Sequence, residues 1–310
     1  MPKIVVPDDF PKAITGTKAH EKLKECGDLK IYSTKAETKD EFLARIRDAD
    51  IILNIRAYSK FTEEILRSCP RLKLISIWGT GTDHVDLKTA KELGIMITNT
   101  HGSSTISIAE HTLALLFAVS KNIPGMHNSV KQGQWPRGYL IELYGKTLGV
   151  IGTGSIGQRV CELGRGIGMK VIAWTYHPSD ERAKRLGIEF VSLDELLKKS
   201  DVVSLHLRLS LETEGLIGKK EFDLMKPASI FINTARGAII NHDALVEALR
   251  EKKIAAAGID VYPIEPVPTG DPLLNLDNVV LTPHSAGMTI EAIDAGLNMA
   301  VDKIIQFLNS

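Results

Sequence analysis

The sequence is poor in the features that mark secreted, membrane-bound or nucleic-acid-binding proteins. Its three cysteines, Cys26, Cys69 and Cys161, are an odd number at spacings that match neither a metal site nor a redox motif, so we expect reduced thiols and no bound metal. Thirty-eight Lys and Arg balance thirty-eight Asp and Glu, which leaves no net charge to attract nucleic acid or anionic lipid. Any anion-binding site must therefore be local.

No segment indicates export or insertion into a membrane. The N-terminal residues MPKIVVPDDF contain no long apolar stretch. The most apolar helical window, Ile106–Val119, is interrupted by Glu110 and His111 and is shorter than the roughly 20 apolar residues that span a membrane. We expect a buried helix at this window and a protein of the cytoplasm.

Short β-branched runs alternate with amphipathic segments along the 310 residues, a pattern typical of βαβ units. The predicted strands are Lys3–Val6, Leu29–Tyr32, Ile51–Asn54, Leu74–Ile77 and Met96–Thr98 in a first block, and Thr147–Ile151, Val171–Trp174, Val202–Leu205, Ile230–Asn233, Ile254–Asp260 and Val279–Leu281 in a second. The predicted helices are Pro11–Cys26, Lys39–Asp48, Glu63–Ser68, Leu87–Leu93, Ser104–Lys121 and Thr289–Leu308, with long loops over 122–146 and 261–278. The sequence therefore predicts an α/β protein with two doubly wound parallel-sheet domains.

A glycine-rich segment follows the first strand of the second block. Gly152, Gly154 and Gly157 form G-x-G-x-x-G between an apolar strand and a helix, the context in which this motif binds the pyrophosphate of a dinucleotide. We expect these glycines to bind the cofactor together with Ser155 and Ile156.

The position that usually carries an acidic residue for the ribose hydroxyl is occupied by Thr175. Because Thr175 lacks the charge that repels a 2′-phosphate, NAD and NADP both remain open. His177, Arg182 and Arg208 follow nearby strands and are either partners for a 2′-phosphate or ordinary surface cations. We also expect cofactor contacts from His206 and Thr234, which follow strands of the same sheet.

Ionisable side chains follow three later strands, where ligands bind in open α/β sheets. His284 is the natural general acid and base, Glu265 its natural partner and Arg236 a planar donor for a 2-oxo carboxylate. Each also has a structural alternative: His284 as a residue whose ring only bonds neighbouring groups of the fold, Glu265 as a solvated loop carboxylate and Arg236 as the cap of a helix C-terminus. Asp260 either supports the fold or holds the nicotinamide carboxamide.

Taken together, the motifs resemble the D-isomer-specific 2-hydroxyacid dehydrogenase family. The resemblance covers nearly the whole chain and is carried by WGTGTDHVDL (78–87), TISIAEHTLALL (105–116), GKTLGVIGTGSIG (145–157), FINTARGAIINHDALVEAL (231–249), GIDVYPIEPVP (258–268) and NVVLTPHSAG (278–287). It implies that Arg236, Glu265 and His284 form the catalytic triad and that Asp260 contacts the nicotinamide ring.

The resemblance also implies a domain organisation. A flavodoxin-like substrate domain would comprise residues 1–100 and 286–310, a Rossmann cofactor domain residues 101–285, and a cleft would separate them. Arg56, Thr80 and Gly81 would contact the substrate, the last two in a carboxylate-binding loop. A homodimer would assemble through the cofactor domains around residues 105–121.

The resulting hypothesis is reversible hydride transfer between NAD or NADP and a small 2-oxo acid, with His284 as general acid and base. Two alternatives stay open. One is a D-3-phosphoglycerate dehydrogenase of serine biosynthesis, and the other is a dinucleotide-sensing binding protein similar to the transcriptional corepressors of this fold.

Overall fold

The computed structural model describes residues 1–310 and divides the chain into two compact units. Unit 1 consists of Met1–Ser104 and Met288–Ser310, and unit 2 of Thr105–Gly287. The boundaries expected from the sequence lay after residues 100 and 285. No helix is both long enough and apolar enough to cross a bilayer.

Unit 1 is built on a five-stranded parallel sheet in the order β2-β1-β3-β4-β5. Its strands are β1 (Lys3–Val6), β2 (Asp28–Ile31), β3 (Ile51–Asn54), β4 (Leu74–Ile77) and β5 (Met96–Asn99). Its helices are α1 (Lys18–Cys26), α2 (Lys39–Ile46), α3 (Glu63–Arg67), α4 (Leu87–Glu92) and α12 (Ile290–Leu308). Every residue of β3 and β4 is buried, as expected for strands covered on both faces.

Unit 2 is built on a seven-stranded parallel sheet in the order β12-β11-β10-β9-β6-β7-β8. Its strands are β6 (Thr147–Ile151), β7 (Lys170–Trp174), β8 (Glu189–Phe190), β9 (Val202–Leu205), β10 (Ile230–Asn233), β11 (Ala256–Ile259) and β12 (Val279–Leu281). Its helices are α5 (Thr105–Ser120), α6 (Ile123–Lys131), α7 (Ser155–Gly166), α8 (Asp180–Leu186), α9 (Leu193–Lys199), α10 (Lys219–Leu224) and α11 (His242–Arg250).

The predicted fold class is confirmed, since both sheets are parallel and helices connect their strands. In unit 2 the strand order reverses at β6, which pairs with β7 on one side and β9 on the other. Ligands of open α/β sheets bind outside the carboxyl ends of the strands at such a reversal. The glycine-rich loop leaves the sheet at the carboxyl end of β6.

The first predicted helix was wrong at its start, because α1 begins at Lys18 rather than at Pro11. The carboxylate of Asp9 accepts hydrogen bonds from the backbone N–H groups of Ala13, Ile14 and Thr15, which holds this segment in a loop. Thr17 then caps the helix by accepting from the His20 N–H. Local side-chain bonding therefore overrides the apolar spacing that suggested a longer helix.

Two further corrections concern the segment after unit 1. The predicted loop over 122–146 contains α6, which begins at Ile123 and has Pro124 in its first turn, where the missing N–H of proline leaves no helical hydrogen bond unmade. The predicted buried helix, α5, is buried on one side only: Ile106 is 51% and Phe117 37% exposed. These two residues lie on the same face as exposed Glu110 and Ala114.

Candidate active site

The glycine-rich loop has the shape that a dinucleotide requires. A Cβ at Gly157 would lie 1.9 Å from the Gly152 carbonyl oxygen, so only glycine lets α7 start this close to β6. A Cβ at Gly154 would instead meet nothing within 4 Å, and no side chain caps the start of α7. The helix therefore presents its N-terminal N–H groups beside open space, which fits the pyrophosphate of NAD or NADP. Ser155 and Ile156 are half-buried in the first turn.

Thr175, His177 and Arg182 follow the carboxyl end of β7, where the ribose hydroxyls of such a cofactor would be recognised. Thr175 is half-buried there. Arg182, in the first turn of α8, donates from Nη1 to Thr153 Oγ1 at 2.9 Å and to the His177 carbonyl at 3.3 Å. Thr153 lies between the first two glycines of the motif, so the Arg182 guanidinium adjoins the cofactor loop. Arg208 is exposed on the loop that follows β9.

Two other expected cofactor contacts are engaged inside unit 2. The His206 ring shares a hydrogen bond with Ser204 Oγ at 2.8 Å, and burial lowers the pKa of His206, so the ring is neutral near pH 7. The Thr234 side chain is buried and its hydroxyl bonds the hydroxyl of Thr112 on α5 at 2.9 Å. Both side chains therefore bond within unit 2, and their contacts with the cofactor stay predictions.

His284 and Glu265 form a directly bonded pair. His284 Nδ1 lies 2.7 Å from Glu265 Oε2, and the other carboxylate oxygen accepts the Tyr262 N–H at 3.0 Å. The side chains of His284 and Glu265 are 39% and 36% exposed. Because the carboxylate uses Nδ1, Nε2 is the ring nitrogen that can exchange a proton with a ligand.

The environment of Glu265 keeps it ionised. Burial on its own would raise the pKa of Glu265, but the hydrogen bond and charge of His284, the Tyr262 N–H and the charge of Arg236 together hold that pKa below its ordinary value. An ionised carboxylate at this position accepts the hydrogen on His284 Nδ1 and so orients the ring.

Arg236 is brought beside this pair by close packing of two loops. A Cβ at Gly237 would lie 2.1 Å from the Tyr262 backbone carbon, so the loop after β10 contacts the loop after β11 only because residue 237 is glycine. Buried Asn233 fixes the same loop by accepting the Ala235 N–H and donating to the Arg236 carbonyl. The structure thus gathers Arg236, Glu265 and His284 at one edge of the sheet.

Asp260 follows β11 and is fully buried. Its carboxylate accepts hydrogen bonds from Thr282 Oγ1 at 2.6 Å, from Ser285 N at 2.9 Å and from Ala286 N at 3.0 Å. Its backbone carbonyl also accepts the His284 N–H at 2.7 Å. These contacts give Asp260 a role in the fold, and its contact with the nicotinamide carboxamide stays a prediction.

Sequence reasoning assigned no role to His111, which belongs to the same cluster. Its Nε2 lies 3.0 Å from Thr282 Oγ1 and 3.5 Å from Asp260 Oδ1. The contact could not be predicted, because α5 and the loop after β12 are far apart in sequence. The only available signal was an ionisable histidine on a mostly apolar helix.

The expected substrate contacts belong to unit 1. Arg56 is buried, donates from Nε to the Phe10 carbonyl at 3.0 Å and from Nη2 to the Pro11 carbonyl, and lies over the Trp78 ring. Thr80 and Gly81 are half-buried, and the Thr80 carbonyl accepts a bond from the Asn99 amide at 2.8 Å. No cluster of three or more His, Cys, Asp and Glu side chains could hold a metal ion.

Comparison with known proteins identifies the family. Residues 113–286 match the NAD binding domain of the D-isomer specific 2-hydroxyacid dehydrogenases. The chain belongs to this family. The predicted resemblance is therefore confirmed, and it places the cofactor chemistry in unit 2.

Three relatives illustrate the match. A D-3-phosphoglycerate dehydrogenase of Methanocaldococcus jannaschii is 40% identical over 289 residues, covering 92% of this chain and 54% of that protein. A glyoxylate reductase of Aeropyrum pernix is 37% identical, with 96% of this chain and 90% of that protein covered. The structure of a D-lactate dehydrogenase from Aquifex aeolicus, complexed with NAD and lactic acid, superposes with a TM-score of 0.88 at 34% identity, covering 99% and 95% of the two chains. The chain thus spans about half the length of the phosphoglycerate dehydrogenase, but nearly all of the other two.

Proposed function

We propose that the protein is an NAD(P)-dependent D-2-hydroxyacid dehydrogenase acting on a small 2-oxo acid. The observation that carries the proposal is the His284–Glu265 pair, bonded at 2.7 Å and accompanied by Arg236, in the unit that holds the dinucleotide loop. A proton donor, a cation for a carboxylate and a nicotinamide site are the three parts that this reaction needs.

His284, on the loop after β12, supplies the proton. A dinucleotide held by the loop of Gly152, Gly154 and Gly157 would supply the hydride for reduction of the carbonyl carbon. His284 donates the proton on Nε2 to the carbonyl oxygen, so that hydride and proton together convert the ketone into an alcohol. In oxidation neutral His284 accepts the hydroxyl proton instead. Glu265 stays ionised in both directions, orients the ring through Nδ1 and stabilises the imidazolium.

Arg236 binds the substrate carboxylate in this proposal. Its guanidinium is planar, permanently charged and matched to a carboxylate, and it lies close enough to act on the charge of Glu265. The names of the three relatives all denote enzymes of 2-hydroxy or 2-oxo acids, which agrees with a carboxylate-binding cation at this position. Substrate contacts from Arg56, Thr80 and Gly81 remain predictions.

A steady-state screen tests the proposal. Glyoxylate, hydroxypyruvate, pyruvate and phosphohydroxypyruvate are offered with NADH and NADPH, and turnover is followed by loss of the reduced cofactor. His284→Ala should lower kcat by about 10² to 10⁴. His127→Ala, a change at an exposed histidine on α6, serves as the control and should keep wild-type turnover. Wild-type turnover in His284→Ala would contradict the proposed acid and base.

The same screen separates the alternatives. Preference for phosphohydroxypyruvate would favour a phosphoglycerate dehydrogenase, the activity named for one relative. Cofactor binding without turnover of any 2-oxo acid would favour the corepressor-like binding protein. The assembled triad supports an enzyme, because a binding protein has no need of a histidine held by an ionised carboxylate.

A homodimer through unit 2 is part of the proposal. Exposed apolar side chains are concentrated on α5, α6 and the segment that follows them: Ile106, Phe117, Ile123, Val130, Trp135, Tyr139, Leu140 and Tyr144. An exposed apolar surface of this kind marks a protein interface. Phe117→Glu should therefore shift the protein toward monomer in sedimentation analysis, whereas Leu93→Glu, at a similarly exposed leucine after α4, should not. Two variants with the same sedimentation coefficient would contradict this interface.

A further inference from the structure

His111 connects helix α5 to the loop that carries His284. The ring lies with its Nε2 3.0 Å from Thr282 Oγ1 and 3.5 Å from Asp260 Oδ1, and the side chain is 23% exposed. All of these residues belong to unit 2. The helix and the loop are more than 150 residues apart in sequence, so this contact is a tertiary link rather than a local one.

The chemistry of the three groups fixes the direction of the hydrogen bonds. An ionised carboxylate only accepts, so the Thr282 hydroxyl donates its single hydrogen to Asp260 Oδ1 at 2.6 Å. Thr282 Oγ1 can then only accept from His111, which requires the hydrogen of the ring to be on Nε2. Burial by itself raises the pKa of Asp260, but bonds from His111, Thr282, Ser285 and Ala286 hold it below its ordinary value. The carboxylate is therefore ionised near neutral pH, as this direction demands.

The residues at the end of this chain of bonds surround His284. The His284 N–H donates to the carbonyl oxygens of Asp260 and Thr282 at 2.7 and 3.1 Å, and the Asp260 carboxylate accepts the N–H groups of Ser285 and Ala286. His284 itself has a φ of 53°, in the left-handed region that non-glycine residues rarely adopt. Such a conformation persists only where its surroundings enforce it.

We propose that His111 is a positioning residue for the general acid and base: through Thr282 and Asp260 it holds the loop that sets the orientation of His284. The inference rests on the proposed function. His111 bonds to neither the His284 ring nor Glu265, and it therefore acts only through the loop. A donor at the Nε2 position is the property that matters, not the charge of the ring.

Two substitutions at His111 distinguish this role from simple packing. His111→Leu keeps a bulky apolar side chain but removes the donor, and it should lower kcat about 10-fold while the KM for the 2-oxo acid and the Kd for NADH change little. His111→Gln places an amide N–H near the former Nε2 and should restore kcat to within about threefold of wild type. Thermal unfolding of each variant shows whether the fold is retained.

A double-mutant cycle with Thr282 completes the test. Thr282→Val breaks the same chain of bonds, so it should lower kcat by a similar factor, and the double variant His111→Leu/Thr282→Val should lose no more than either single variant. Thr282→Ser keeps the hydroxyl and should stay near wild type. If His111→Leu does not fold, the Thr282→Val and Thr282→Ser pair together with His111→Gln carries the test.

The outcomes are separable from those of the proposed function. Wild-type kcat in His111→Leu, equal loss in His111→Gln and His111→Leu, or losses that multiply in the double variant would each overturn the positioning role. Those results leave the dehydrogenase proposal intact, because they require an active wild-type enzyme. A wild-type protein that turns over no 2-oxo acid would overturn the function itself.

Discussion

His284 is the residue on which the chemistry depends, and its backbone is held in an uncommon conformation. Its φ of 53° turns the chain sharply between Pro283 and Ser285. The Asp260 carbonyl holds the amide of His284, and the Asp260 carboxylate holds the two amides that follow. The buried Asp260 therefore holds the backbone of the turn, while the partly exposed Glu265 orients the His284 ring.

The charge of Glu265 should be visible in the pH dependence of reduction. The pKa of Glu265 lies below its ordinary value, so the carboxylate is ionised across the neutral range and accepts the hydrogen on His284 Nδ1. Glu265→Gln replaces this charged acceptor with a neutral amide, so it should lower kcat/KM by a factor that changes between about pH 6 and about pH 9. The measurement is kcat/KM for the 2-oxo acid across this range. Parallel profiles for variant and wild type would show that the two groups are not coupled.

Arg182 should affect the choice between the two nicotinamide dinucleotides. Its guanidinium bonds Thr153 in the cofactor loop, and Thr175 offers no negative charge against a 2′-phosphate. Arg182→Gln should therefore raise the Kd for NADPH about 10-fold and change that for NADH less than about twofold. Fluorescence titration of both cofactors measures this.

Lys184→Gln is the matched control on the same helix, because Lys184 is exposed and bonds no residue of the cofactor loop. It should leave both dissociation constants unchanged. Equal weakening of NADH and NADPH by Arg182→Gln would show that Arg182 only supports the shape of the loop.

At the scale of elements, two glycines in the connection from β6 to α7 have different roles. Gly157 is needed for packing, and we expect Gly154 to be needed for cofactor binding. Gly157→Ala would place Cβ 1.9 Å from the Gly152 carbonyl and should cost about 2–4 kcal/mol of unfolding free energy. Gly154→Ala meets open space at an ordinary φ of −69°, so it should fold normally and yet weaken cofactor binding. Chemical denaturation and NADH titration measure the two effects. Tight NADH binding by Gly154→Ala would indicate that no phosphate lies over this residue.

Most strands were predictable because their residues follow a strong local pattern, whereas the two-residue β8 was not predicted. β1, β3, β4, β6, β9, β10 and β12 begin and end at the predicted residues, each within a run of apolar and mostly β-branched side chains. The start of α1 was not predictable, since it depends on how the Asp9 side chain bonds a loop. The exposed side of α5 was also not predicted. The helix is apolar on several sides, so its sequence does not show which side stays uncovered in the folded chain.

The types of the catalytic residues were predictable, but the residues that hold them in place were not. His284, Glu265 and Arg236 carry ionisable groups after successive strands, and parallel topology brings such positions to one edge. The role of Gly237 and the contact of His111 with Thr282 depend on how separate loops approach each other in space. No spacing in the sequence reports such approaches.

At the scale of the whole molecule, each unit has one carboxylate that bonds groups at or near the first residues of neighbouring strands. Asp50 accepts the Lys3 N–H at 2.8 Å and is bonded by Arg71, while Asp201 accepts the Thr147 N–H at 2.8 Å and is bonded by Lys226. For Asp50 and Asp201, burial alone would raise the pKa, but these bonds outweigh it and leave each pKa below its ordinary value.

Stability should therefore fall on acidification. A carboxyl whose pKa is lowered by folding stabilises the folded state above its unfolded pKa, and this contribution is lost as pH falls through the folded pKa. The midpoint of urea denaturation should hold steady down to about pH 5 and drop below about pH 4. Asp201→Asn should reduce the drop. A midpoint independent of pH down to about pH 3 would contradict this.

Helix α12 closes unit 1 with residues from the far end of the chain. Leu297, Ala300, Val301 and Ile304 are fully buried against β1, β3, β4 and α1, and the Ala300 carbonyl accepts the Ser76 hydroxyl at 2.9 Å. During synthesis, all of unit 2 leaves the ribosome before these four side chains do. Part of the core of the first hundred residues therefore stays uncovered until unit 2 has been translated as well.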